Sequence, residues 1–366
     1  MVIGFDAKRA FCNNTGLGNY SRMICGGMAK ELETGHCVLY SPKLKGRHEH
    51  YFDGLERVEL RKADGLWSLA PWFWRSMLGF MIEKDGVEIF HGLSHELPYG
   101  IAKGVKKVVT MHDLIVRRYP DYFKPADRII HRLKQGYACR TADLVVAISE
   151  QTKRDLMDMM GVAEEKIRVV YQSCDPIFWN AMGRSDVIEK YNLPKRYILC
   201  VGTLEERKNQ QNVIRAMQHL PEEMGLVIVG RPRGDYGRQV LAMADDKIRI
   251  VTGADFSDFP ALYAGAVASV YMSHFEGFGI PVLESLCCDT PVVTSNVSSM
   301  PEAGGDAALY ADPDDVEGIA YQLRRLIEDE PLRKQCIEKG RIHRLKFAPE
   351  KVTQDLLAVY KELLHH

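Results

Sequence analysis

The 366-residue chain lacks what several function classes need. None of its nine cysteines, at 12, 25, 37, 139, 174, 200, 287, 288 and 336, stands in a Cys-x-x-Cys pair, which argues against a zinc site. Their odd number and apolar neighbours, as in Leu199-Cys200-Val201, predict reduced thiols in a cytoplasmic protein. No apolar run is long enough to span a bilayer. The opening MVIGF reads as a strand rather than a signal peptide. The formal net charge is only −1, so no excess charge draws the chain to nucleic acid. That balance hides an asymmetry. Met1–Asp175 holds 26 Lys and Arg against 22 Asp and Glu, and the remainder holds 22 against 27. Internal repeats and low-complexity tracts are also missing.

What is present is an alternation of short apolar runs with longer amphipathic stretches. Val2–Phe5, Val38–Tyr40, Val87–Phe90, Val108–Met111, Leu144–Ile148 and Ile167–Val170 read as strands of a first half. Tyr197–Val201, Leu226–Val229, Ile248–Val251, Ala268–Met272 and Pro291–Thr294 read as strands of a second. Helical periodicity between them, as in Asn209–His219 and Asp258–Ala266, predicts an α/β chain with parallel sheets covered on both faces. Two such sets predict two doubly wound, Rossmann-like domains. The boundary falls near Ser173–Lys195, a stretch of turn residues with a short helical piece. Ala348–Leu364 reads as an amphipathic helix.

Two runs carry most of the chemistry. In Gly202–Asn209 (GTLEERKN), Arg207 and Lys208 follow an apolar strand and Gly202. Arginine can grip phosphate oxygens in a fork, and lysine adds a point charge where charge develops on a leaving group. In Ser273–Glu284 (SHFEGFGIPVLE), Pro281 suits a first helical turn. Gly277, Phe278, Gly279 and Ile280 then lie at a helix start that attracts phosphate. Glu276 and Glu284 bracket that start with carboxylates suited to hydroxyls. In the first half, Gly16 and Gly18 (GLGNY) read as a turn before a helix over Tyr20–Leu32, either a phosphate or acceptor cradle or a plain tight turn. His112 and Asp113 end a strand, and Ser149 reads as a helix cap. Gly65–Ile82 carries Trp67, Trp72 and Trp74, and basic groups recur at Lys103, Lys106, Lys107, Arg117, Arg118, Lys124, Arg128, Arg132 and Lys134. That region reads either as a buried helix with solvated charge or as a surface for anionic lipid.

GLGNY, His112-Asp113, ADLVVAISEQTKRDL, GTLEERKN, the spacing from Glu276 to Glu284 and SSMPEAGGDAALYADPDD occur in an order that resembles glycosyltransferase family 4, retaining enzymes of the GT-B fold. The resemblance implies a first domain over 1–173 with the helix 348–366 folded back onto it, binding the acceptor. It implies a second domain over 174–347 binding a nucleotide sugar. Arg207 and Lys208 would neutralise the leaving diphosphate, Glu276 would meet the transferred sugar and Glu284 the ribose. His112 would contact the donor sugar, with Asp113 orienting the region. It further implies front-face substitution, no metal and no cofactor beyond the donor substrate.

The likeness to bacterial O-antigen and capsule enzymes points to mannose from GDP-mannose. The acceptor is a glycan or lipid-linked saccharide, met in the cytoplasm or at the inner face of the membrane. A UDP-glucose or other UDP-hexose donor, a GT-B sugar-nucleotide epimerase and an inactive glycan-binding partner subunit stay open on the residues alone. The oligomeric state is not encoded legibly.

Overall fold

The computed structural model describes residues 1–44, 48–63, 71–179, 181 and 183–365. The chain divides into two compact units, Met1–Ser173 with Ala348–His366, and Cys174–Phe347.

Among its described residues the first unit holds seven strands: β1 (Val2–Asp6), β2 (His36–Ser41), β3 (Val58–Lys62), β4 (Ile89–Gly92), β5 (Lys106–Met111), β6 (Leu144–Ala147) and β7 (Ile167–Val169). All pair in parallel in the order 3-2-1-4-5-6-7. Their interiors, such as Ile3, Phe5, Val108, Val109 and Val145, are fully buried. That is why a sheet covered on both faces reads as short apolar runs rather than alternation. β3 escapes this reading. VELRK is an edge strand with two exposed glutamyl and leucyl positions and a charged end, so no apolar run marks it.

The helix Gly16–Glu31 starts four residues earlier than its periodicity suggests. Gly16 and Gly18 therefore form its first turn, not a separate turn before it. A Cβ on Gly18 would meet the Asn13 carbonyl oxygen at 1.9 Å, so glycine is required there for close approach of the backbone. The helix Pro349–His365 belongs to this unit. Its Val352, Leu356, Tyr360 and Leu363 share one core with Ile24 and Met28 of the helix Gly16–Glu31. Of the tryptophan-rich run, residues 65–70 with Trp67 lie outside the described residues. The helix Pro71–Lys84 takes up the rest, and its Trp74 is buried with Leu78 and Ile82.

The second unit holds β8 (Tyr197–Val201), β9 (Gly225–Val229), β10 (Ile248–Val251), β11 (Ala268–Tyr271), β12 (Val292–Ser295) and β13 (Leu309–Ala311). They too are parallel, in the order 10-9-8-11-12-13. β13 has three residues, too few to register as a run. The two sheets share one winding scheme. Strand order reverses between β1 and β4 in the first unit and between β8 and β11 in the second, the places where doubly wound sheets take ligands. All nine cysteines are free thiols and eight are buried; Cys174 and Cys287 approach at 3.6 Å between sulfurs.

Candidate functional site

The second unit gathers its charged residues where β8 and β11 end. After β8 the chain passes through Gly202 at φ +144°, into the single 3-10 turn Glu206–Lys208. A Cβ at Gly202 would stand 2.9 Å from the Lys208 ammonium nitrogen and in a region that L-residues avoid, so glycine lets the lysine fold over its own backbone. The Lys208 ammonium sits 5.6 Å from the centroid of the Tyr271 ring. It has no hydrogen bond or ion pair among the described residues. Arg207 differs. Its guanidinium pairs with Glu276 and, at 2.7 Å, with Glu205, and donates to the Phe275 carbonyl at 2.5 Å. Burial alone would lower its pKa, but the carboxylates of Glu276 and Glu205 with Tyr271 more than offset this and raise it.

Glu276 follows β11. Its Oε1 accepts from the Tyr271 and Ser273 hydroxyls and pairs with Arg207, while Oε2 has no partner among the described residues. Desolvation pushes this carboxyl up, yet Arg207 and Lys208 outweigh it and hold it ionised, below the usual range. Its backbone is clamped as well. Ser298, itself at φ +58°, accepts the Glu276 N–H at 3.2 Å and donates to the Glu276 carbonyl at 2.8 Å; Ser299 donates to the same carbonyl at 2.9 Å.

The helix Ile280–Cys287 begins at Gly279, with φ +115° and a hypothetical Cβ 2.9 Å from Met300. Proline in its first turn and the lack of a side-chain cap leave its start open to an anion. Glu284, one turn in, accepts from the Tyr263 hydroxyl at 2.9 Å on Oε2. Burial pushes its carboxyl up to about 8 against the pull of Tyr263 and Lys208. Gly277 and Phe278 lie between the two glutamates, and Phe278 is buried against Phe347. The arrangement therefore offers one unpaired cation, one ionised carboxylate with a spare oxygen, one carboxyl near its titration point and an uncapped helix start. That set suits a diphosphate flanked by hydroxyl-bearing rings.

In the first unit, His112 follows β5 and is 5 % exposed. Its Nε2–H donates to the Leu93 carbonyl at 2.9 Å, which leaves Nδ1 as the acceptor. Desolvation, with His95 adding to it, pushes the ring down to about 3, so it is neutral. Tyr20 packs edge-on at 4.7 Å. Asp113 accepts the Ile115 N–H at 3.1 Å and shapes the turn after the strand. Ser149 accepts the Thr152 N–H at 3.0 Å, so it caps the helix Glu150–Met160. A Cβ on Gly16 would meet nothing within 4 Å, so no close approach requires glycine there.

Residue patterns missed Glu205, Tyr263, Tyr271, Ser273 and the Ser298–Ser299 clamp. Glu205 was legible inside GTLEERKN; the others are ordinary residues until the fold brings them to the site. The chain's single Asp-x-Asp triplet, Asp312-Pro313-Asp314, is engaged: Asp312 accepts the Asp314 N–H at 2.9 Å and Asp314 pairs with His274 at 2.9 Å. Among the described residues no three His, Cys, Asp or Glu gather as a metal site.

This geometry and fold define a GT-B glycosyltransferase. Residues 15–177 match Glycosyltransferase Family 4 and residues 184–343 match Glycosyl transferases group 1. The chain is 32% identical over 287 residues to the O-antigen chain mannosyltransferase B of Escherichia coli, covering 75% of this chain and 74% of that protein. It is 30% identical over 225 residues to the O-antigen chain mannosyltransferase RfbU of Salmonella typhimurium, 60% of each. Among solved structures, HepE of Anabaena in complex with UDP and glucose superposes with a TM-score of 0.75 at 17% identity over 99% of this chain and 100% of that one. WaaG, a glycosyltransferase involved in lipopolysaccharide biosynthesis, gives 0.70 at 16% over 98% and 99%. The chain belongs to glycosyltransferase family 4 and is a glycosyltransferase of the nucleotide-sugar-dependent kind.

Proposed function

We propose that the chain transfers mannose, with retention, from GDP-mannose to a lipid-linked saccharide in the assembly of a bacterial surface polysaccharide. The observation that carries the chemistry is the unpaired Lys208 ammonium beside Glu276 and Glu284, each with an oxygen to spare. The mannosyl choice rests on the two O-antigen mannosyltransferase relatives. In this reading the diphosphate lies at the start of the helix Ile280–Cys287 and against Lys208, with Arg207 behind it. Glu284 takes the ribose hydroxyls and Glu276 Oε2 a sugar hydroxyl. The C1–O bond to the diphosphate breaks while the acceptor oxygen bonds C1 on the same face. The acceptor proton passes to a diphosphate oxygen, and GDP leaves. Lys208 meets the charge as it forms, so no metal is required.

Purified protein melted with GDP-mannose or with UDP-glucose tests the donor, because a ligand bound only by the folded state raises the melting temperature. Stabilisation and GDP release with GDP-mannose support the reading; a response to UDP-glucose alone replaces the donor. Isomerised donor without acceptor would instead mark an epimerase.

The acceptor's lipid places the enzyme at the inner membrane face in this reading. Ile129, Ile130 and Leu133 are exposed on the helix Pro125–Thr141, among Lys124, Arg128, Arg132 and Lys134. Apolar side chains set among cations suit an anionic lipid surface. Among the described residues no helix is long and apolar enough to cross a membrane. Salt-sensitive sedimentation with anionic vesicles is the expected result; no sedimentation at any salt concentration sinks the membrane contact.

A further inference from the structure

The two sheets share a winding scheme, so the places where their strand order reverses are equivalent. In the second unit that place, between β8 and β11, holds Arg207, Lys208, Ser273 and Glu276. In the first unit it lies between β1 and β4 and holds Arg9, three residues past β1, and His95, three past β4. Ligands of doubly wound sheets enter at such points.

His95 departs from the ordinary in two ways at once. Its backbone sits at φ +61°, in the left-handed region that side-chain-bearing residues rarely occupy. Its Nδ1 is sealed from solvent and has no hydrogen-bond partner among the described residues. Glycine would take the same backbone freely, and among the described residues the imidazole gives the fold no hydrogen bond in exchange. Strain and an unmet polar atom at one residue are the marks of a side chain kept for a ligand. The position is fixed from outside: the His95 N–H donates to the Thr110 carbonyl at 2.9 Å, and the ring lies 5.4 Å from that of His112. Unlike Nδ1, Nε2 is not sealed, and it makes no hydrogen bond among the described residues.

We propose that His95 is a substrate-contacting residue of the first unit, whose imidazole hydrogen-bonds a hydroxyl of the saccharide acceptor. Burial, with His131 and Arg9 nearby, keeps the ring neutral. With Nδ1 sealed, Nε2 is the nitrogen a ligand meets, and in the neutral ring it makes one hydrogen bond as donor or acceptor, a match for an uncharged hydroxyl rather than a phosphate. The inference deepens the acceptor assignment of the first unit and rests on it.

The test is His95→Gly, which relieves the backbone while removing the ring, with His95→Asn as a second variant that tolerates the left-handed backbone and keeps a polar group. The probes are GDP-mannose and octyl α-D-mannopyranoside. His95→Gly should melt no lower than the wild type and be stabilised equally by GDP. Its KM for the octyl mannoside should rise about tenfold, the loss of one hydrogen bond, with kcat changed far less, and His95→Asn should fall between. An unchanged acceptor KM in His95→Gly overturns the proposal. So does a lower melting temperature with weakened GDP stabilisation, which would make the ring a structural element. A wild type stabilised by GDP-mannose that transfers nothing to the octyl mannoside refutes the acceptor assignment beneath it. A wild type that ignores GDP-mannose refutes the donor reading instead.

Discussion

Replacing Glu284 with glutamine should stabilise the protein, and increasingly so as pH rises. The Glu284 carboxyl, ordinarily near 4.5, is pushed up to about 8 by burial beside Tyr263. Between those values the folded chain keeps a proton that the unfolded chain has released. Stability therefore falls as pH rises through that window. At roughly 1.4 kcal/mol per pH step, the cost reaches about 3 kcal/mol by pH 7 and about 5 kcal/mol above pH 8. Glutamine keeps the shape, can still accept from the Tyr263 hydroxyl and cannot ionise. At about 2–4 °C per kcal/mol for a unit of this size, the variant's lead in melting temperature should widen by about 6–12 °C between pH 5 and pH 7.5. Paired melts from pH 5 to 9 measure it. In the proposed function the same carboxyl takes the ribose hydroxyls of the donor. If only the ionised form grips the ribose hydroxyls, GDP-mannose affinity of the wild type should climb about fiftyfold from pH 6 to pH 8 and then level off; the diphosphate diester itself does not titrate there. A lead that stays constant with pH, or a variant that melts lower throughout, would refute the claim that the folded protein holds this proton.

Lys208→Ala and Arg207→Ala should separate catalysis from architecture. The first breaks no ion pair and should keep its melting temperature while kcat falls about 10²–10³-fold; the second takes the ion-pair partner from Glu276, leaves Glu205 only Arg233, and should also cost on the order of 3–5 kcal/mol in a denaturant melt. Gly279→Ala forces φ +115° on a residue with a side chain and a clash with Met300, and should lower stability by about 1–3 kcal/mol and weaken GDP-mannose binding in titration calorimetry. His91, His95 and His112 are each held neutral down to about 3 by burial, against about 6.5 when unfolded. Their contribution is intact above pH 6.5 and is lost as pH falls, about 2 kcal/mol each by pH 5. Acid melts should show that slope, and His91→Asn should flatten it.

The amino-acid sequence alone determined the class of fold. Buried parallel strands must be short apolar runs, and eleven of the thirteen strands among the described residues announce themselves that way. β3 and β13 do not, because an edge strand is half solvated and a three-residue strand is shorter than any periodicity. The site was half legible for a related reason. Gly202, Arg207, Lys208, Glu276, Gly279 and Glu284 lie in two compact runs, since a strand end and the turn after it are local in sequence. Only tertiary structure decided how they divide the work. Arg207 and Lys208 are neighbours in the chain, but Arg207 is spent on Glu205 and Glu276 while Lys208 stands unpaired over Tyr271. The two glutamates differ for the same reason: Glu276 has cations beside it and stays ionised, and Glu284 is buried against a tyrosine and keeps its proton. Charge state follows from what surrounds a group in space, and a linear chain does not record its surroundings.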